Sequence, residues 1–216
     1  MAKDLVIFGT GGFAREVHQV VEDLNKDSTQ WNFRGFLDDN RDKYGSEVHG
    51  FPVLGGGDWL ARHPEVHIVV GVGSPKARES IVNRIREVVP NPLFATLIHP
   101  LAWVGNRVEI GEGSIICAGN LVTTDIKIYR HVILNIDCTV GHDSILRDFV
   151  TVNPSVNISG NVTIGRGAEL GTGGAVIQGV TIGEETIVGA GAVVVRDLPS
   201  RVTAVGVPAK VIKEHS

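Results

Sequence analysis

The chain has 216 residues, 20 Lys and Arg against 24 Asp and Glu, and a formal net charge of −4. It shows no basic stripe for nucleic acid and no apolar run long enough to cross a membrane. Two cysteines do not make a disulfide framework, and the opening MAKD leads straight into a strand with no signal peptide, so a cytoplasmic protein of one or two domains is expected.

Residues 4–12, DLVIFGTGG, read as a buried strand entering a glycine-rich turn. Phe13, Val17, Val20, Val21 and Leu24 then follow helical spacing. A second strand, FRGFLDD, ends on Asp38 and Asp39, and FPVLGG (51–56) and HIVVGVG (67–73) come next. A helix from about Pro75 to Val88 closes the series. Strands separated by helical segments predict a small, Rossmann-like parallel α/β domain over residues 1–92. Its turn, Gly9-Thr10-Gly11-Gly12, can present backbone amides to an anion at a helix start. An acid at the end of the second strand can bond a ribose or base, so Asp38 and Asp39 are nucleotide candidates. Phe13 and Ala14 depart from the dinucleotide fingerprint, and ninety residues suit a nucleotide diphosphate better than a whole dinucleotide.

From Val104 to Val194 every sixth residue is Val, Ile or Leu, sixteen positions without a miss. Neither a helix nor an ordinary strand has that period, whereas a solenoid turning a corner every six residues does. The hexads predict a left-handed parallel β-helix over 93–199, followed by a C-terminal extension over 200–216. Coils of 18 residues make about five turns, roughly 25 Å tall at strand spacing. Glycines after the inward aliphatic, among them Gly105, Gly141 and Gly189, are expected to supply a left-handed backbone at the corners. Cys117 and Cys138 are expected as small core residues.

Among eight histidines, His18, His49, His63, His67 and His215 read as ordinary polar or surface residues, and His99 as structural. His131 is expected on the prism exterior. His142 differs, because Val140-Gly141-His142-Asp143 projects it outward beside a carboxylate, with Asn135 seven residues earlier. An acid can fix the tautomer of an imidazole and raise its basicity, which suits a general base near neutral pH.

The runs NIDCTVGHD (135–143), SGNVTIG (159–165) and VGVPAKVI (205–212), with GTGG and FLDD ahead of the prism, resemble the hexapeptide-repeat sugar acetyltransferases. The branch includes sialic acid O-acetyltransferases and nucleotide-diphospho-4-amino-sugar N-acetyltransferases. The resemblance implies acetyl transfer to a nucleotide-linked amino sugar, with O-acetylation of a sugar hydroxyl as the alternative. It makes His142 the general base, Asp143 its orienting acid and Asn135 part of the pocket. Gly160 would offer its amide to the thioester oxygen. Acetyl-CoA, as co-substrate, would run past Thr172 and Ala190 toward Pro208 and Lys210, with no metal. Gly9, Thr10, Gly11, Gly12 and Phe13, with Asp38 and Asp39, would hold the acceptor's nucleotide. Members of the branch often have a histidine where Phe13 stands, and a second pocket histidine where Thr151 stands.

The resemblance further implies a homotrimer, for which Ile115, Leu121, Ile133, Ile145 and Ile187 are expected as outward apolar residues. Two rival readings are a carbonic anhydrase and a non-catalytic sugar-nucleotide scaffold. The first needs histidines at close spacing, but Asp137 and Arg147 stand five residues either side of His142.

Overall fold

The computed structural model describes residues 2–215, and the chain divides between Leu97 and Ile98 into two compact units. The first unit runs β1 (Lys3–Phe8), α1 (Gly12–Leu24), β2 (Trp31–Leu37), β3 (Glu47–Val48), β4 (Phe51–Gly55), α2 (Gly57–Arg62), β5 (His67–Val70), α3 (Pro75–Val88) and β6 (Leu93–Phe94). The sheet order is β3–β4–β2–β1–β5–β6, parallel except for the β3–β4 hairpin. Leu5 to Phe8 and Ile68 to Val70 are fully buried, as central strands covered on both faces require. The chain winds from β1 through β2 and β4, then returns to the other side of β1 with β5. Strand order therefore reverses between β1 and β5, where open α/β sheets form their ligand crevice.

α3 starts on Ser74, whose hydroxyl accepts from the Ala77 amide, with Pro75 in the first turn. α1 buries Ala14, Val17, His18, Val20 and Val21, while Phe13 and Leu24 at its ends are only partly covered. His18 is thus no surface residue. Phe33, Phe36 and Phe51 surround its ring, and its Nδ1 lies 3.4 Å from Nδ1 of His49. Burial pushes its pKa down, Glu22 opposes this, and His49 adds to it. β6 pairs with β5, so the α/β unit continues past residue 92.

The second unit is the left-handed β-helix. Its first face stacks the strands containing Ile115, Ile133, Thr151, Glu169 and Ile187, each pairing with the next 18 residues on. The second face stacks Trp103, Leu121, Thr139, Asn157, Ala175 and Val193. The third stacks Glu109, Lys127, Ile145, Thr163 and Thr181. The inward aliphatics from Ile116 to Val194 form one continuous core, with Ile98, Val104 and Ile110 partly buried against it. Cys138 belongs to that core, and burial pushes its thiol up to about 11. Val202–Val205 extends the first face in parallel, and Lys210–Glu214 returns antiparallel beside it.

Three expectations for the prism need correction. The left-handed residues are not the glycines after each aliphatic. They fall two positions later, at every sixth residue from Arg107 to Gly191, with φ between 54° and 78°. The second-position glycines serve close stacking instead, since a Cβ on Gly141 would meet the Gly160 amide nitrogen at 2.5 Å, and one on Gly105 the Thr123 carbonyl oxygen at 2.0 Å. His131, at a left-handed corner, is buried rather than solvated. It lies over Gly113, where a Cβ would collide with it, and stacks on the Phe149 ring at 5.0 Å. Ile115 and Ile133, neighbours in one ladder, are fully buried, which leaves Leu121, Ile145 and Ile187 as the more open members of that outward set.

Candidate active site

His142 stands at the corner between the second and third faces, directly after Gly141 and before the left-handed Asp143, φ 61°. That bend brings Asp143 Oδ2 to 2.7 Å from His142 Nδ1, although neighbouring side chains on a regular strand point to opposite faces. Both side chains are exposed. With Nδ1 donating to the carboxylate, Nε2 is the acceptor nitrogen. One coil on, Gly160 lies beneath the ring, and a Cβ there would meet Nε2 at 2.6 Å. Glycine is what leaves room for the Nε2 side of the imidazole at this corner. Among the described residues the Gly160 amide makes no hydrogen bond, while its carbonyl accepts from Gly179. An imidazole, a carboxylate hydrogen-bonded to it and the unbonded amide of buried Gly160 therefore share one corner.

Asn135 sits on a different corner, between the first and second faces, its Oδ1 accepting from the Ile136 amide. Thr172 and Ala190 occupy that same corner on later coils, with the Gly191 amide on the Thr172 carbonyl. Pro208 and Lys210 lie past the end of the second face, where Ala209 donates to the Val193 carbonyl. The expected pocket residues thus form two groups flanking the second face. Thr151 is buried on the first face, between Ile133 and Glu169.

In the α/β unit the candidate nucleotide residues gather at the carboxyl ends of β1 and β2. Gly9 has φ 113°, and a Cβ there would meet the Gly71 oxygen and Val72 at 3.2 Å. Gly11 caps α1 without a side-chain bond, and space is open at Gly11 and Gly12. Asp38 is tied in: Thr10 Oγ1 donates to it, Lys43 Nζ stands 2.9 Å away, and the Asn40 amide donates at 2.9 Å. Burial pushes this carboxyl up, but those three donors outweigh it and hold it below its ordinary value. Lys43 also donates to Thr10 at 2.8 Å. Asp39 pairs with Arg84 of α3.

Lys43, Arg84 and Arg78 were not found from the sequence. The first two reach their partners across 5 to 45 residues, which no local spacing encodes. Arg78 did leave a signal, since it shares the stripe of Ile81, Val82 and Ile85 on α3 and is buried with them. No cluster of three or more metal-ligating side chains occurs among the described residues, and no helix among them is long and apolar enough to cross a membrane.

Residues 4–85 match the PglD N-terminal domain family. The chain is 31% identical over 215 residues to the GDP-perosamine N-acetyltransferase of Escherichia coli O157:H7, covering 96% of this chain and 95% of that one. It superposes on PerB of Caulobacter crescentus, solved with CoA and GDP-perosamine, with a TM-score of 0.88, 34% identity and 99% coverage of both chains. The acetyltransferase domain of PglB from Neisseria gonorrhoeae FA1090, solved with acetyl coenzyme A, gives a TM-score of 0.87 at 32% identity, covering 98% of this chain and 100% of that one.

Proposed function

The chain belongs to the hexapeptide-repeat nucleotide-sugar acetyltransferases, acyltransferases that use acetyl-CoA, and on that premise we propose that it N-acetylates a GDP-linked amino sugar of the perosamine type. The observation that carries the reading is His142 Nδ1 held at 2.7 Å by Asp143, with Nε2 over Gly160. The acceptor's amine attacks the thioester carbonyl carbon directly, without an acyl-enzyme. Nε2 takes the proton that the nitrogen loses, and Asp143 stabilises the imidazolium so formed. The Gly160 amide donates to the oxygen as negative charge develops on it. The tetrahedral species then collapses, the C–S bond breaks, and the sulfur leaves as the CoA thiolate, which takes up a proton. Gly9 to Phe13, with Asp38 and Asp39, hold the acceptor's nucleotide, the diphosphate lying at the start of α1.

The same reading includes a homotrimer. His142, Asp143 and Gly160 flank one side of the second face, and Asn135, Thr172 and Ala190 flank the other. A second copy packed along that face would bring one corner opposite the other copy's complementary corner. Trp103 and Leu121, both exposed there, are apolar surface of the kind association covers. Acetyl-CoA and nucleotide sugars are both cytoplasmic metabolites, and the cytoplasm is the compartment proposed. Thiol release from acetyl-CoA, followed with GDP-, UDP- and dTDP-linked amino sugars, tests the activity. Turnover is expected with the GDP sugar, and absence of turnover with all three would sink the assignment. Sedimentation velocity tests the trimer, which an active monomer would refute.

A further inference from the structure

His18 is 2% exposed and takes no part in acetyl transfer. Phe33 and Phe36 of β2 and Phe51 of β4 surround it, with ring centroids 4.5, 5.7 and 5.0 Å away. Among the described residues its one hydrogen-bond partner is Nδ1 of His49, 3.4 Å from its own Nδ1. His49 opens the turn of the β3–β4 hairpin, where it has φ 50° and Gly50 has φ 76°, the positive pair that a two-residue hairpin turn adopts. Two neutral imidazoles that meet through Nδ1 share one N–H, so one ring donates and the other accepts. A second proton makes both nitrogens donors, and the contact becomes repulsive. Burial lowers the pKa of His18, Glu22 on the same helix opposes this, and His49 adds to it. From β2 and β4 the ring meets uncharged aromatics.

The hairpin is the far end of the arm that carries Lys43. The Ser46 hydroxyl donates to the Lys43 carbonyl at 2.6 Å, and the Gly45 and Val53 amides donate to the Val53 and Ser46 carbonyls at 2.9 and 2.8 Å. Lys43 in turn donates to Asp38 and Thr10. β4 stays paired with β2 at Val53 and Gly55, so any release of the tip is local. We propose that the His18–His49 contact is a proton-sensitive clasp: acid frees the β3–β4 tip from α1 and loosens the arm that presents Lys43. A weaker grip on the acceptor's nucleotide follows, and only that consequence rests on the nucleotide reading.

Amide hydrogen exchange of the full-length protein at pH 7.5 and 5.5, corrected for intrinsic rates, tests the clasp without any ligand. Protection over residues 43–51 is expected to fall about tenfold in acid, the ceiling for one proton taken up a unit below the ordinary imidazole value. Protection of α3 should hold. Asparagine tolerates a positive φ and offers an oxygen that accepts from His18 in either charge state, so His49→Asn should cut the loss to less than about threefold. An unchanged wild-type tip, a loss shared by α3, or an equal loss in His49→Asn overturns the clasp. If the His49→Asn tip is already unprotected at pH 7.5, His18→Phe replaces it, and an acid loss that persists there is equally fatal. Calorimetry with a GDP-linked hexose, whose diphosphate diester keeps its charge over this range, tests the consequence. Binding to wild type should weaken about threefold at pH 5.5, as a competent fraction cut to a third gives, and hold in His49→Asn. An acid-opened tip with pH-independent binding overturns the link to Lys43. Wild-type protein that binds no nucleotide sugar at either pH refutes the nucleotide reading, while the exchange result still judges the clasp.

Discussion

The imidazole–carboxylate pair of the prism is exposed, whereas the charged groups at the rim of the α/β sheet are held by partners from elsewhere in the unit. His142 and Asp143 occupy a corner whose backbone geometry recurs at fifteen positions, and they contact each other. Asp38 is held by Thr10 and Lys43, Asp39 by Arg84, and the Val72 and Gly73 carbonyls by Arg78. Where a repeat sets the main chain, side chains are left over for chemistry. Where loops are irregular, side chains must first fix the loops.

The sharpest way to break that contrast is to remove the free group. His142→Ala is expected to lower kcat by about 10² to 10⁴-fold without changing the melting temperature or acetyl-CoA binding. Steady-state kinetics and a thermal shift together check it, and a large stability loss would show that the imidazole supports the corner after all. The second test attacks the corner itself. Gly141→Ala places a methyl against backbone and should cost about 3 kcal/mol of stability. Gly173→Ala, at φ 70° but in open space, should cost about 1 kcal/mol. Denaturant midpoints of the two variants give the ranking, and equal costs would refute the stacking argument.

At the α/β rim, Lys43→Met frees Asp38 and Thr10 of their shared cation. A rise of about fivefold to tenfold in KM for the nucleotide sugar is expected, with kcat and the KM for acetyl-CoA unchanged. The smallest effect concerns His18. Its pKa is lower in the folded chain than in the unfolded one, so the unfolded state binds more protons as acid is added. Stability should therefore fall as pH drops through the unfolded value near 6.5 toward the folded one. His18→Phe should flatten the melting temperature across pH 5 to 7. A wild-type profile already flat over that range would contradict the sign.

The hexad was legible because a narrow three-sided core admits one aliphatic per side, and the sequence must comply at every turn. The helices and main strands of the first unit were legible for the same reason, through their buried faces. The role of the second-position glycines was misread because close stacking and positive φ both favour glycine. Gly141, directly after an inward aliphatic, stacks, whereas Gly173, two hexad positions further on, is left-handed. His131 escaped because burial at a corner depends on neighbours 18 residues away, here Gly113 and Phe149. The His142–Asp143 contact was readable from adjacency, while the roles proposed for that pair and for Gly160 rest on resemblance. Lys43, Arg84 and Arg78 were not read, since long side chains choose partners in three dimensions.

The ladder that pairs Ile133 with Thr151, and Thr151 with Glu169, also restricts how this molecule can change length. A single inserted residue would shift every later aliphatic off the core and every later corner off its left-handed site. Removing 18 consecutive residues would leave all three faces in phase. The prism behaves as a ruler graduated in whole coils, so shortening or extending it for engineering is feasible only in that unit, and small insertions belong in the loops of the α/β unit.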